Sequence, residues 1–520
     1  MGSRRLSGAS GRCGCDFRMV LPAKLADADG GGRAEVAQLP ELSGHVPSFK
    51  TGTALAVLES MSFCRNSLVA VLMFTLACGA NVNTSRPTIP AAPESFSQSG
   101  SSQATPDRYW ESFGDATLDR LIDQALSGSP DLGAMWSRLA QSEAGITRAS
   151  ANRSPTLDAS LSTSGSLRTD GTSITRSTGT SIGLAASYEV DLWGSLSSTR
   201  KISELSALTS AANLRAAAIS LTAEVASTWF ELVTARQTLR LLDEQRVDAT
   251  EGMRLIGLRY ETGMVPESDD LRQRQTVETL TGSFALAQAQ VDVLEHKLAV
   301  LIGQPPGFAV PTSEALPTLP GLPSTGVPLD ILSRRPEIEA SYFAIESADH
   351  AVGVAMAAKL PSLRLGANLS SAGSLTDLFT GAVASLVAGL TAPLLNGERL
   401  DAEVAISKEV VIEKAHNYRS AVLAALQEVE DALTRESQQM LYIASLDREL
   451  ALASAVRTTV EAAYTAGTTD QLEVLSSANS VRGLERELLV ARRDALSYRI
   501  SLYRALAGGW EMARPDLKES

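Results

Sequence analysis

The sequence predicts a mainly α-helical protein made of two similar halves, each with a β-hairpin followed by a long helical hairpin. Three observations give this fold class. Two long segments lack proline and carry apolar residues at helical spacing, shorter regions alternate apolar and polar residues, and this order of elements occurs twice. The 520 residues are 44% hydrophobic and only 5% aromatic, which is closer to long packed helices than to a compact enzyme.

The first predicted feature along the chain is a secretory signal at residues 61–77. It has one basic residue, Arg65, and an apolar run from Leu68 to Ala77 that is too short for a permanent membrane helix. Its ending, Thr-Leu-Ala-Cys, resembles a bacterial lipobox, in which the cysteine, here Cys78, is acylated, for example with palmitate. The alternative is ordinary cleavage nearby with a free thiol. Residues 1–60 lack periodicity and are predicted to be an upstream extension.

Cysteine content and charge exclude several classes of protein. Because no cysteine follows Cys78, a chain that starts there has neither a disulfide framework nor a thiolate metal site. The formal net charge of −13 argues against nucleic acid as a partner.

Residues 78–108 are rich in Ser, Pro and Thr and predict a flexible tether. The first repeat, 109–302, begins with two helices, and apolar and polar residues alternate from Pro155 onward. This alternation predicts two strands of about ten residues joined by a polar loop from Arg168 to Thr180. A membrane β-barrel with a wet lumen and a half-buried soluble sheet both fit the pattern.

A helix from about Ser195 to Glu261 is predicted next, and it would be about 100 Å long. Gly263 predicts its end, Pro266 the restart, and a returning helix runs to about Ile302. The seam of this helix follows 4-3-4-3 spacing, as in a coiled coil, at Leu214, Ala218, Leu221, Val225, Thr228, Leu232, Ala235, Leu239 and Leu242.

The second repeat, 329–510, follows a Pro- and Gly-rich linker at 303–328 and precedes a tail at 511–520. Pro336 and Pro361 repeat Pro130 and Pro155 at an offset of 206 residues. Another Pro-free segment, from about Glu398 to Ala466, predicts the second long helix. Tyr464-x-x-Gly467 then repeats Tyr260-x-x-Gly263 at an offset of 204. A duplication explains offsets this steady.

Several of these motifs, in this order, resemble the TolC family of outer membrane efflux channels, over about residues 109–510. The Cys78 signal resembles the NodT-type lipoprotein branch of that family. The motifs are YEVDLWG (188–194), LSRRPEIE (332–339), APLLNGERLDAEV (392–404), ALQEVEDAL (425–433), GTTDQLEVL (467–475) and LYRALAGGW (502–510).

The resemblance implies a trimeric α/β-barrel channel. Four strands from each of three identical chains would form a 12-stranded barrel in the outer membrane, and the helices a tunnel across the periplasm. The implied partners are a periplasmic adaptor (membrane fusion) protein, an inner-membrane pump of the proton-driven RND type and outer membrane lipid, which Cys78 would anchor. The function expected is a passive exit duct for small molecules. The alternatives are the outer membrane component of a type I protein secretion system and a structural periplasmic coiled-coil lipoprotein.

The resemblance also identifies the helical tips as the gating and docking end. It places Tyr464, Glu473 and Ser476 near the closed periplasmic entrance, and Ser476 stands where an acid is expected. Three copies of Glu473 would form an acidic ring, with Asp269 and Asp270 of the first tip as further candidates beside Tyr260. The alternative is that these are ordinary first-turn acids favoured by the helix dipole.

The sequence gives no pattern for catalysis, a metal or a cofactor, so an enzyme is not expected. The histidines are scattered singly, and GTSIG at 179–183 leads into a strand rather than from strand to helix. Glu428 and Glu430 are interpreted as a solvated helix face. Trp193 could anchor at the membrane interface or pack at the strand-to-helix corner, and Arg334 and Arg335 could cap a helix or form ion pairs. The histidines are His45, His296, His350 and His416.

Overall fold

The computed structural model describes residues 95–98, 107–169, 171–313, 315–325, 334–373 and 381–506. The chain divides into units 1–78 and 79–520, and every described residue belongs to the second. The predicted extension, the signal at 61–77, Cys78, His45 and the tail at 511–520 therefore lie outside the described residues.

The described residues form seven α-helices and four strands after a short 3-10 helix at Tyr109–Phe113. In chain order these are α1 (Ala116–Gly128), α2 (Pro130–Ala151), β1 (Thr156–Thr169), β2 (Ile174–Val190), α3 (Ser195–Glu261), α4 (Glu267–Leu301), α5 (Pro336–Ala357), β3 (Ser362–Gly373), β4 (Val383–Thr391), α6 (Gly397–Thr465) and α7 (Gln471–Leu506).

The two long helices confirm the prediction from proline spacing. Helix α3 has 67 residues and α6 has 69, so each is about 100 Å long. Asp191 starts α3, because its carboxylate accepts the backbone N–H groups of Leu196 and Ser197 at 3.0 and 2.8 Å. Burial opposes the charge of Asp191, but a hydrogen bond from the Ser197 hydroxyl at 2.6 Å, together with these two backbone bonds, outweighs it and lowers the pKa of Asp191.

The predicted strand lengths were wrong. β1 and β2 have 14 and 17 residues, and they run through most of the segment predicted as a loop at 168–180. Serine hydroxyls pair across the two strands, Ser162 with Ser181 and Ser166 with Ser177, each at 2.7 Å. The small polar residues that suggested a loop thus form a cross-strand ladder.

The four strands form one antiparallel sheet in the order β1-β2-β3-β4. Leu157 lies opposite Ala186, Ala186 opposite Ala367, and Ala367 opposite Leu386, so one face of the sheet carries a row of apolar side chains. This face is open, since Leu157 is 71% exposed and Leu386 89%. β1 is exposed along its whole length, which does not fit a half-buried soluble sheet.

The main core lies where α1, α3, α4 and α7 meet. Trp229 is fully buried there, and its indole Nε1 donates to the Asp115 carboxylate at 2.7 Å. Among the described residues, no helix has an apolar stretch long enough to cross a bilayer. The other large members of this core are Tyr109, Trp110, Phe113, Phe230, Leu298, Ile500 and Tyr503.

The predicted tether is not flexible along its whole length. Phe96 is 7% exposed and packs on Val429, Leu433 and Leu502, while both the backbone N–H and the hydroxyl of Ser97 donate to Glu430. Phe96 is a single aromatic residue in a polar segment, and it packs into an apolar groove between α6 and α7. The tether has no periodic pattern from which this contact could be predicted.

Candidate functional site

The candidate site is formed by the tips of the two helical hairpins, α3–α4 and α6–α7. Both long helices end in the same way, at glycines with φ of 72° (Gly263) and 74° (Gly467). The N–H of each glycine donates to the tyrosine carbonyl three residues earlier, at 2.9 Å for Tyr260 and 3.0 Å for Tyr464. These bonds, with a six-to-one bond from the next residue, form a Schellman motif that needs a left-handed residue.

Acidic residues occupy the first turns of the two returning helices. Glu267, Asp269 and Asp270 lie in the first turn of α4, and Glu473 in that of α7. The Asp470 side chain accepts the backbone N–H of Glu473 at 3.0 Å, so it caps α7. All of these carboxylates face the positive end of a helix dipole.

The structure separates the three acids proposed for a ring. Asp270 is only 5% exposed and pairs with Arg274 at 2.7 Å. Asp269 lies 3.5 Å from Arg272. Glu473 is exposed and has no ion pair among the described residues. Of the predicted acids, Glu473 is therefore the one available to a ligand or to another chain.

Tyr464 brings the two tips together. The Arg259 guanidinium of α3 donates to the Tyr464 hydroxyl and also lies over its ring, 5.6 Å from the centroid, within the range of a cation–π contact. Tyr260 is next to Arg259 in sequence but is 41% exposed. Ser476 is exposed as well.

Two further contacts join the hairpins above the tips. Arg482 of α7 donates to the Asp248 carboxylate of α3 at 2.6 Å, and Arg486 donates to the Gln245 amide oxygen at 2.9 Å. None of these four residues was predicted from the sequence. The available signal was the i, i+4 spacing of the two arginines on one face of α7, opposite polar residues at i, i+3 on α3.

Other residues singled out from the sequence have structural roles. The Trp193 indole donates to the Pro361 carbonyl at 2.7 Å, which favours packing at the strand-to-helix corner. Arg335 pairs with Glu428 at 2.6 Å and with Glu337 at 3.3 Å. Glu428 is thus the partner of a buried arginine. Its own side chain is 42% exposed, as expected for a solvated helix face.

In the described part of the chain, no group of three or more His, Cys, Asp and Glu side chains is placed to hold a metal ion. His296 and His416 are exposed and His350 is half-buried. The tips present charged and aromatic side chains.

Comparisons of sequence and of fold each find related proteins. The family model for outer membrane efflux proteins matches residues 121–304 and 327–508. The chain is 31% identical to the pyoverdine export outer membrane protein OpmQ of Pseudomonas putida strain KT2440, over 86% of this chain and 98% of OpmQ. It is 26% identical to nodulation protein T of Rhizobium leguminosarum bv. viciae, over 80% and 88% of the two chains. The structure also superposes on a crystal structure of CusC from work on folding and transmembrane channel formation, with a TM-score of 0.72. The two chains are 26% identical, and the superposition covers 83% of this chain and all of the CusC chain.

Proposed function

We propose, because the chain belongs to the outer membrane efflux protein family, that three copies of it form a passive exit duct for small molecules across the periplasm and the outer membrane. The chain is an outer membrane channel component of an efflux system. What we propose beyond this is the number of subunits, the lipid anchor, the cargo and the partners.

The observation that carries the proposal is the open sheet. Its apolar face is exposed, with Leu386 at 89% and Leu157 at 71%, and β1 and β4 are its outer strands. In hydrocarbon, a sheet edge with unpaired N–H and C=O groups is too costly, so the strands must close on themselves. Four strands are too few to surround water, whereas three copies supply twelve.

The opposite face of the sheet suits a wet lumen. Arg364 pairs with Glu189 across β2 and β3 at 3.1 Å. Asp158 and Asn368 lie on that face too, because each is next in its strand to a residue of the apolar row and side chains alternate between faces. Apolar outside and polar inside is the arrangement of a membrane barrel.

A second copy would also cover a helix face. Leu286, Val293 and Val300 of α4 are spaced seven apart and are 76%, 59% and 56% exposed, while α4 packs mainly against α3. An apolar heptad stripe of this kind is a coiled-coil seam without its partner. On α6, Leu441 and Leu452 are 66% and 70% exposed, and we propose that they meet the neighbouring copy's α4.

The tips are proposed as the end that gates the duct and docks to a periplasmic adaptor, which connects it to a proton-driven inner-membrane pump of the RND type. Three copies of the exposed Glu473 would repel one another in a narrow entrance, so dilation or a bound cation would relieve the repulsion. Acylated Cys78 would add a lipid anchor to the barrel. The name of OpmQ, a pyoverdine exporter, favours a small cargo over a secreted protein.

Conductance of the purified protein in planar bilayers tests the proposal. We expect discrete channels, more often open after Glu473→Ala or Tyr464→Phe, from a protein that runs as a heat-modifiable trimer in the outer membrane fraction. A periplasmic scaffold would keep the helices but lack a detergent-resistant trimer. Silent bilayers with the parent protein and with both variants would overturn the duct.

A further inference from the structure

The first β-hairpin extends beyond the second at the edge of the sheet that lies away from the helices. β2 pairs with β3 only from Thr180 to Val190, whereas its pairing with β1 continues to Ile174. Among the described residues, 164–169 of β1 and 174–179 of β2 therefore pair only with each other. We call these two segments the outer ribbon, and each is about 20 Å long.

The outer ribbon lacks a packing partner within the described part of the chain. All of its residues are exposed, with Leu167 at 70% and Ile174 at 71%. The long helices α3 and α6 follow β2 and β4 at the opposite edge of the sheet, so they do not cover it. A two-stranded ribbon is only marginally stable in water by itself. Its exposed apolar side chains therefore indicate an amphipathic partner outside the chain.

The two faces of the outer ribbon differ in chemistry. Leu167 lies opposite Arg176, and both belong to the face of the apolar row, because each is ten residues from a member of that row and side chains alternate. Ile174 lies two residues from Arg176 on this same face. The other face carries the hydrogen-bonded hydroxyls of Ser166 and Ser177. The lipid-facing side of the outer ribbon thus combines apolar side chains with a cation.

Arg176 has no acidic partner in the described part of the chain. The ion pair within the sheet joins Arg364 to Glu189 on the opposite face, and Glu189 is 13 residues from Arg176 along β2, about 40 Å away. The Arg176 guanidinium is exposed. Its planar array of N–H donors is therefore free to bind a phosphate, which accepts two of these hydrogen bonds at once.

In a membrane barrel, Arg176 would lie at the outer boundary of the hydrocarbon. Tyr188 is on the same face near the helical edge and suits the inner boundary, where aromatic girdles lie. Arg176 is 12 residues from Tyr188 along β2, which is about 40 Å along the strand. Because such strands tilt by roughly 40°, the separation along the barrel axis is about 30 Å. The hydrocarbon core of a bilayer is also about 30 Å thick, so Arg176 is level with the head groups of the outer leaflet.

We propose that the lipid-facing side of the outer ribbon binds lipopolysaccharide, the phosphorylated glycolipid of the outer leaflet, with Arg176 at one of its phosphates and Leu167 at its acyl chains. The inference rests on the proposed function, because it takes the sheet as part of a membrane barrel. Charge complementarity selects the phosphate. The apolar side chains beside Arg176 select a lipid over a soluble anion, and the height of Arg176 selects the outer leaflet over the inner one.

Arg168 provides a matched comparison within the outer ribbon. It lies opposite Thr175 and is next to Leu167 in β1, so it is on the hydroxyl-bearing face at nearly the same height as Arg176. Arg168 is exposed as well. It has the same charge as Arg176 but faces the lumen. A contact with outer-leaflet lipid therefore depends on Arg176 and not on Arg168.

The expected effect is modest for each chain. One arginine at an anionic membrane surface changes the affinity by about fivefold. Because every chain carries its own outer ribbon, the three sites bind independently and the measured change equals the change at one site. Replacement of Arg176 should therefore weaken lipid binding about fivefold.

The experiment measures binding of fluorescent bisphosphorylated lipid A, the membrane part of lipopolysaccharide, to purified trimers in a non-ionic detergent. The same lipid without its phosphates is measured in parallel, and EDTA removes divalent cations that would bridge phosphates. The variants are Arg176→Gln, Arg176→Lys and Leu167→Ser, with Arg168→Gln as the control. Each preparation is first checked as a heat-modifiable trimer and for conductance in planar bilayers.

We expect the parent to prefer the phosphorylated lipid about fivefold, Arg176→Gln to lose this preference, and Arg168→Gln and Arg176→Lys to keep it. Leu167→Ser should weaken binding of both lipids equally. Conducting trimers that bind both lipids alike, or that lose the preference equally in Arg168→Gln, would overturn this inference and leave the duct in place. Displacement by phosphatidylglycerol as effective as by unlabelled lipid A would overturn the assignment to the glycolipid. Trimers that never conduct would overturn the duct, and with it the membrane barrel on which this site depends.

Discussion

Replacement of Arg499 should be among the most destabilising single changes in this protein. Arg499 is 2% exposed, and two of its guanidinium nitrogens donate to the Glu436 carboxylate at 2.8 and 2.5 Å. A third nitrogen donates to the carbonyls of Pro320 and Gly321 at 2.5 and 2.7 Å. Burial disfavours the cation, but the hydrogen bonds and charge of Glu436 outweigh it, so the pKa of Arg499 is raised. One side chain thereby ties α7 to α6 and to the segment between the repeats.

The cost of Arg499→Ala follows from what it leaves behind. The Glu436 carboxylate, whose side chain is 8% exposed, would be buried without its counter-charge, which costs about 3–5 kcal/mol. Removing both charges in Arg499→Met with Glu436→Leu should recover most of this loss, because well-packed apolar residues often replace a buried ion pair at little cost. The remaining loss of stability would come from the Pro320 and Gly321 carbonyls, which would lose their hydrogen-bond donor.

Urea unfolding of the detergent-solubilised protein, followed by helical circular dichroism, measures this difference. Arg493→Ala is the control, because Arg493 pairs with its neighbour Asp494 at 2.5 Å on a more exposed part of α7 and should cost less than about 1 kcal/mol. If Arg499→Ala is no more destabilised than Arg493→Ala, or if the double variant is worse than the single one, the reasoning from buried charge is refuted.

Three other predictions concern the sheet, the tips and the start of α3. Leu386→Arg places a charge on the exposed apolar face and should cost about 2–4 kcal/mol in a bilayer, seen as loss of heat-modifiable trimer, whereas Ser385→Arg on the opposite face should assemble normally. Gly467→Ala forces a side chain into φ of 74° and should lower stability by about 1–2 kcal/mol in urea unfolding, while Gly483→Ala, with no atom within 4 Å of the new Cβ, should not destabilise. Asp191 has a lowered pKa, so its stabilisation is present above the unfolded value of 3.8 and is lost as pH falls through the folded value. Asp191→Asn should therefore lower the melting temperature at pH 7, and its difference from the parent should shrink as pH falls below 3.8; a difference that stays the same at low pH would contradict this.

The long helices were predictable because their signals are local. A Pro-free run with apolar residues at helical spacing predicts α3 from Ser195 to Glu261. Gly263 marks the end of this helix, because glycine is the residue that adopts a positive φ without a steric penalty. The strand ends were not predictable in the same way. The sequences of β1 and β2 are rich in Ser and Thr and therefore resemble a loop. Only the structure shows that their hydroxyl groups hydrogen-bond to each other across the hairpin.

The sequence by itself determined the two repeats, the long helices, the glycine turns and the residues that stand at each tip. Only the tertiary structure decided which of these side chains meet. It buried Asp270 beside Arg274 and left Glu473 exposed, although both lie in the first turn of a returning helix. It also placed Arg259 against Tyr464 and Arg482 against Asp248. The reason is that periodicity shows which face of a helix is apolar, whereas the partner of a residue depends on the axial register between helices more than two hundred residues apart in the chain.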